Sequence, residues 1–339
     1  MKNKHIFLFI SAFLFLTFTS GISHIKSREG VVTIRINLNA PKDSENIKLW
    51  LPYPISDEHQ KIEDIKIAGN YLKSDKYKEP QSNSVLLFAE WDKKSNNMAL
   101  ELKFKVKAEE RAVNKLNETK KPIPADIKRY LEAEPFVPTD GKVKEIADDI
   151  TKGKNGILSK ARAIYDWVVE NTHRDPDVKG CGLGIIEKTL AEGGGGKCAD
   201  ISTVFVALSR AAGVPAREVF GLRLSKNKED DMTGGYHCWA EFYLPGTGWV
   251  PADPADVRKA MLEKNLDIEQ AKPYKEYFFG RVDEYRIVLR KGGRGLTLNP
   301  PQSSGPVNYL MYPYAEVDGF PLDYFDPKSF KYSVHFKAL

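Results

Sequence analysis

The hydrophobic repeat of this chain changes twice along its length, and those changes limit the fold more than any other feature. From Val31 to about Val106 apolar residues recur at every second position, the period of a strand with one buried face. Val143–Ile150 and Ser159–Asn171 instead follow a helical period, with Ile164, Trp167 and Val168 on one stripe. A third helix is expected over Ala199–Ala212, ended by Gly213 ahead of Pro215. Strand-like alternation then returns at Ala216–Leu224, Tyr236–Leu244 and Trp249–Asp253. Strands, then helices, then strands predict an α+β chain rather than repeated βαβ units. Its 339 residues allow two domains of about 150 each.

The early segments Val31–Leu38, Ile47–Pro52, Ile62–Ala68, Val85–Trp91 and Met98–Val106 predict an antiparallel β-sandwich over residues 26–115. Glu109–Pro138, charged and proline-rich, reads as a linker with a short helix near Ile127–Leu131. Helices packed on an antiparallel sheet are expected over residues 116–280, with a β-rich extension over residues 281–339. The polar stretch Lys226–Gly235 reads as a mobile loop between two strands.

Composition narrows the class. Hydrophobic residues make up 42% and charged residues 29% of the chain, the balance of a folded globular protein rather than a disordered or collagenous one. Lys and Arg number 51 against 46 Asp and Glu, and the resulting +5 contains no basic block, so no nucleic-acid partner is expected. Three cysteines are too few for a disulfide framework and too scattered for a paired Cys-x-x-Cys zinc site. Lys2 and Lys4 precede an apolar run from Ile6 to Phe18, followed by Thr19, Ser20, Gly21 and Ser23. Residues 1–25 therefore read as an export signal or membrane anchor, with membrane association through residues 6–25. The expected location is extracytoplasmic: periplasmic, secreted or membrane-anchored.

The stretch Gly193–Ser202 carries the strongest chemical signal. A phosphate-binding loop is excluded, because Ala191 and Cys198 stand where the motif needs Gly and Ser or Thr. Cys198 falls where the glycine loop becomes a helix. Free N–H groups and partial positive charge there favour a thiolate and can receive an oxyanion. The alternative is a small apolar residue packed at a helix start. A thiol nucleophile needs a base and a group to orient it. His237, opening a strand, is the candidate base; it shares a strand face with Trp239 and Glu241, while Cys238 points the other way. Adjacent strand residues facing apart argue against a zinc site built from Cys198, His237 and Cys238. Glu241 is expected to be solvated, and Arg217 a strand cation.

Asp253 is the candidate orienting carboxylate, with Asp256 the fallback. A four-residue hairpin loop would pair Leu244 with Trp249 and Asp253 with Ala240, on the wrong face for His237. The constellation needs an odd loop or a bulge.

Cys198-Ala-Asp200, the helix through Leu208-Ser-Arg-Ala-Ala-Gly213 and Val214-Pro-Ala-Arg217 resemble the core of the transglutaminase-like superfamily. His237-x-Trp239-x-Glu241 and Trp249-x-x-x-Asp253-Pro254 are similar to its later motifs in the expected order. The resemblance spans residues 146–260. It implies a papain-like α+β core with Cys198 as nucleophile, His237 as base and Asp253 as orienting residue. It further implies acyl transfer through a thioester on peptide or glutamine amides, with hydrolysis favoured slightly over cross-linking. Peptide or protein substrates are implied, cell-envelope proteins among them, and no metal or organic cofactor.

Two departures from the family's pattern stand out. No Gln lies between Gln81 and Gln270 to serve as an oxyanion donor, and Trp167, on a helix stripe, reads as core. Cys181 and Cys238 could pair in an oxidising compartment or stay buried and free. The rival reading is a catalytically silent cell-envelope binding or scaffolding module with the same fold.

Overall fold

The computed structural model describes residues 25–339, except 80–83, 93, 94, 96 and 192. The expected export segment lies outside the described residues but for its last position. No helix among the described residues is long and apolar enough to cross a membrane.

Seven strands come first: β1 (Ser27–Leu38), β2 (Ile47–Tyr53), β3 (Gln60–Gly69), β4 (Lys73–Lys78), β5 (Val85–Trp91), β6 (Met98–Glu109) and the two-residue β7 (Arg111–Ala112). Along β6, Met98, Leu100, Leu102, Phe104, Val106 and Ala108 are buried in turn, as period-two sequence requires. Val32, Ile34 and Ile36 of β1 and Ile47, Leu49 and Leu51 of β2 join them in one apolar cluster. The short helix α1 (Ala125–Lys128) and a 3-10 turn over Arg129–Leu131 lie in the expected linker.

Next come α2 (Gly141–Ile150), α3 (Ile157–Asn171), β8 (His173–Arg174), α4 (Ile186–Ala191), β9 (Gly195–Gly196) and α5 (Cys198–Ala211). The chain continues with β10 (Ala216–Arg223), β11 (Glu229–Asp231), β12 (Tyr236–Leu244), β13 (Gly248–Ala252), α6 (Pro254–Lys264), α7 (Lys272–Tyr277) and β14 (Arg281–Val282). It closes with β15 (Arg286–Lys291), β16 (Tyr314–Val317), β17 (Phe320–Pro321) and β18 (Phe330–Ala338). α5 is buried on every side from Cys198 to Arg210. It packs against the antiparallel sheet β13-β12-β10-β15. Together with the helices around it, this sheet makes the α+β core.

Residues beyond 280 do not stand apart. β15 completes the core sheet, while β16 and β17 extend β2 in the sheet β17-β16-β2-β5-β4. β18 lies beside β1 in the sheet β11-β18-β1-β6-β3. The stretch read as a mobile loop is a correction: Glu229–Asp231 forms β11 against Lys337, Phe336 and His335 of β18. A three-residue polar strand has no apolar alternation to betray it; its partner supplies the pairing.

Candidate active site

Cys198 occupies the first position of α5. The loop in front of it is held by Asp200, two residues on, whose carboxylate accepts the Lys197 amide at 2.9 Å and the Gly184 amide at 2.8 Å. A carboxylate in the first helical turn also meets the positive end of the helix. Burial pushes the Asp200 carboxyl up from its usual range, against these amides. The Ala199 amide donates to the Cys181 carbonyl at 2.8 Å, so this first-turn donor is already used. That contact draws the Cys181–Gly184 loop onto the helix start. Beside it a cavity of about 410 Å³ is lined by Gly182, Leu183, Gly195, Asp200, Tyr309 and Tyr324.

The Cys181 thiol donates to the Tyr236 carbonyl at 3.2 Å, and Cys181, Cys238 and His237 are the groups that act on the Cys198 thiol. All three cysteines are free and buried. Hydrogen bonds from Cys181, then Cys238, together with the nearby His237, hold the Cys198 thiol well below its ordinary range despite burial. Its neighbours move the other way: hydrogen bonding to Cys198 holds the Cys181 thiol up, and burial pushes Cys238 up. His237 and Cys238 face opposite sides of β12, the strand against which α5 packs.

His237 Nε2 lies 2.8 Å from Asp253 Oδ2 and 3.6 Å from Asp256 Oδ1. This leaves Nδ1 as the ring nitrogen free to exchange a proton with the thiol. The ring also stacks beside Trp239, with centroids 6.2 Å apart. Burial pushes the imidazole down, but Asp256 and Asp253 outweigh it and raise its titration above the usual value.

The hairpin explains how Asp253 arrives there. Leu244 pairs with Gly248, so the turn holds three residues, Pro245–Thr247, and Ala240 pairs with Ala252. Asp253 follows one step later on the His237 side, as an odd loop requires. It also caps α6, accepting the Asp256 amide at 2.9 Å.

Arg286 was not singled out by the sequence. Its buried guanidinium donates to Asp253 Oδ2, and to Asp256 Oδ2 at 2.6 Å. Arg223 donates to Asp256 Oδ2 as well. Although burial pushes the Asp256 carboxyl up, Arg223, His237 and Arg286 outweigh it and hold it far below the carboxylate range. The potential ligand atoms of His237, Asp253 and Asp256 lie within 4.8 Å of one another. Their engagement by two guanidiniums makes this set an ion-pair cluster rather than a vacant donor set. Only the pairing Arg223↔Arg286 across β10 and β15 could have announced Arg286, and it is invisible before the strands are assembled.

Glu241 corrects another expectation. It is buried rather than solvated and accepts Arg217 Nη2 at 2.6 Å. Arg217 in turn lies 3.7 Å above the Trp249 ring, which shuts water out from that side.

Residues 144–254 match the sequence profile of the Transglutaminase-like superfamily. A protein of Haemophilus influenzae with no assigned role is 38% identical over 331 residues, covering 89% of either chain. YebA of Bacillus subtilis, also uncharacterised, is 27% identical over 139 residues, 37% of this chain and 19% of its own. Among solved structures, a protein of Cytophaga hutchinsonii provisionally named a cysteine protease superposes with a TM-score of 0.57 at 16% identity. That superposition covers 92% of this chain and 98% of the other and extends the shared fold well beyond the profile match. The α+β core, the ordered motifs and these likenesses agree: the chain belongs to the transglutaminase-like superfamily.

Proposed function

We propose that this chain is a cysteine enzyme that transfers acyl groups from peptide or glutamine amides through a thioester on Cys198. One observation carries the reading. A thiol at a helix start, held below its ordinary range, meets an imidazole whose far nitrogen is fixed by a buried carboxylate. In the first step the Cys198 sulfur adds to the amide carbonyl, and the oxyanion is received by the Cys198 N–H. Protonated His237 gives its proton to the amide nitrogen, the C–N bond breaks and the amine departs. Water then adds to the thioester, His237 takes the water's proton, and the acid and free thiol are released. A second amine in place of water would give cross-linking. Hydrolysis is slightly favoured, because water is abundant and no second-substrate site is evident beside the thiol among the described residues. The basic and apolar opening of the sequence supports a place outside the cytoplasm, with envelope peptides or proteins as substrates.

The test is the rate of iodoacetamide labelling against pH, with the modified residue located by mass spectrometry. Labelling of Cys198 well below pH ~8.5, lost in His237→Ala, is the expected result. Peptide and glutamine-amide substrates, with and without a fluorescent primary amine, then separate hydrolysis from cross-linking.

A second reading rests on burial. Cys198 is 2% exposed and His237 5%. The Tyr309 hydroxyl clamps the adjoining loop by donating to the Gly182 carbonyl at 2.6 Å. A silent envelope-binding module would keep such a closed site, and slow labelling with an ordinary thiol profile would select it.

A further inference from the structure

We propose that Arg286 is a positioning residue, which holds Asp253 and Asp256 together against His237 and sets the range over which the imidazole stays protonated. The inference rests on the reading of His237 as the base. It adds three residues, Asp256, Asp283 and Arg286, that lie beyond the superfamily match over residues 144–254.

The geometry is that of a fork. One guanidinium nitrogen of Arg286 donates to Asp253 Oδ2; the other donates to Asp256 Oδ2 at 2.6 Å and to Asp283 Oδ2 at 3.4 Å. Planar, two-pronged donation of this kind fixes the angle between two carboxylates, which a lysine could not do. The guanidinium is itself packed between Trp239 and Phe278, 5.4 and 5.3 Å from their ring centroids. It is 1% exposed, so it has no solvated alternative. The Oδ2 atoms of Asp253 and Asp256 are thereby drawn to one cation. Asp256 Oδ1, buried and without a hydrogen-bond partner among the described residues, is left 3.6 Å from His237 Nε2. The protonated ring thus meets a second negative charge beside Asp253, at ion-pair rather than hydrogen-bond distance.

Charge completes the argument. From the start of α6 His237 faces Asp253 and Asp256; Arg223 of β10 and Arg286 of β15 pair with these carboxylates and, behind them, with Asp283 of the turn before β15. Cys198 of α5 and Cys181 and Cys238 beside it complete its surroundings. On the carboxylate side of the ring, three carboxylates against two guanidiniums leave one negative charge, and the Cys198 thiolate adds a second on the other side; both favour a protonated His237. Without Arg286 two carboxylates would be unmatched, and the imidazole would hold its proton to higher pH. Without the Asp256 charge the cluster would be balanced by a neutral ring, and the proton would leave at lower pH.

The experiment is an NMR titration of the full chain labelled with ¹⁵N-histidine, the His237 ring being assigned by its loss in His237→Asn. Arg286→Gln is expected to raise the ring's midpoint and Asp256→Asn to lower it, each by about one unit. Arg286→Lys is expected to stay near the wild-type midpoint, while slowing iodoacetamide labelling of Cys198 because the fork is lost. Midpoints that do not move, or that move in the same direction in Arg286→Gln and Asp256→Asn, would overturn the proposal and leave Arg286 a packing residue. If Arg286→Gln does not fold, a downward shift in Asp256→Asn with slowed labelling in Arg286→Lys still supports it, and the absence of either overturns it. Slow labelling of wild-type Cys198 together with opposite shifts would instead overturn the acyl-transfer reading alone.

Discussion

Cys198 has two kinds of neighbour, and substitution tells them apart. Cys198→Ala removes the sulfur from a buried site but little volume, so we expect activity to fall by on the order of 10³ or more. Stability should fall by less than about 2 kcal/mol in chemical denaturation. Asp253→Asn is more discriminating. Asparagine still accepts the Asp256 amide and keeps α6 capped. The charge facing His237 Nε2 is lost, however, and turnover is expected to drop roughly 10²–10⁴-fold with the helix intact by circular dichroism. The pH behaviour follows from the signs. His237 titrates higher in the folded chain than when unfolded, so its contribution to stability is complete below its unfolded midpoint. That contribution disappears as pH rises through the folded midpoint, and His237→Ala should abolish this part of the stability curve. Individual residues were legible where chemistry marks them: a cysteine after glycines, a histidine opening a strand, an aspartate ahead of proline. Glu241 was not, because strand alternation says which face a side chain takes and nothing about Arg217 and Trp249 closing over it.

At the level of elements, the α5 start depends on a tight loop as much as on the helix. Gly182 has φ +87°, and a Cβ there would stand 1.8 Å from Asp200 Oδ2, the carboxylate that holds the loop. Gly182→Ala is expected to destabilise the chain by upwards of about 3 kcal/mol and to slow Cys198 labelling. Gly213→Ala is the control. Its φ is also positive, at +81°, but nothing lies within 4 Å of the added carbon. It should cost about 1 kcal/mol by thermal melting, with labelling unchanged. The strands with alternating apolar residues were legible, and so were α2, α3 and α5, whereas α4, α6 and α7 were not singled out. Lys73–Lys78, sequence KSDKYK, was not: β4 is a polar edge strand paired with β5. The three-residue turn of the β12–β13 hairpin was anticipated as a need of the site, not from its composition.

At the level of the whole molecule, the sandwich rests on the core through charge as well as apolar contact. Asp57 receives both forks of Arg111 and lies 3.2 Å from Lys291 of β15. Burial opposes its ionisation, but these two cations lower its carboxyl from 3.8 to about 2. The stabilisation is therefore present above the unfolded value and is lost as pH falls from near 4 towards 2, a window worth roughly 2 kcal/mol. Asp57→Asn should remove that acid-dependent step from denaturant curves recorded across this range.

Residues 30–38 of β1 pair with residues 330–338 of β18, and Arg286 comes from β15, late in the chain. A growing polypeptide would have Cys198 and His237 long before it had Arg286, and β1, paired with β6 on one side, would keep its other edge open until β18 had been made. The assembled site therefore waits for β15 to be made, and a shorter nascent fragment would carry the thiol without the charges that tune its partner.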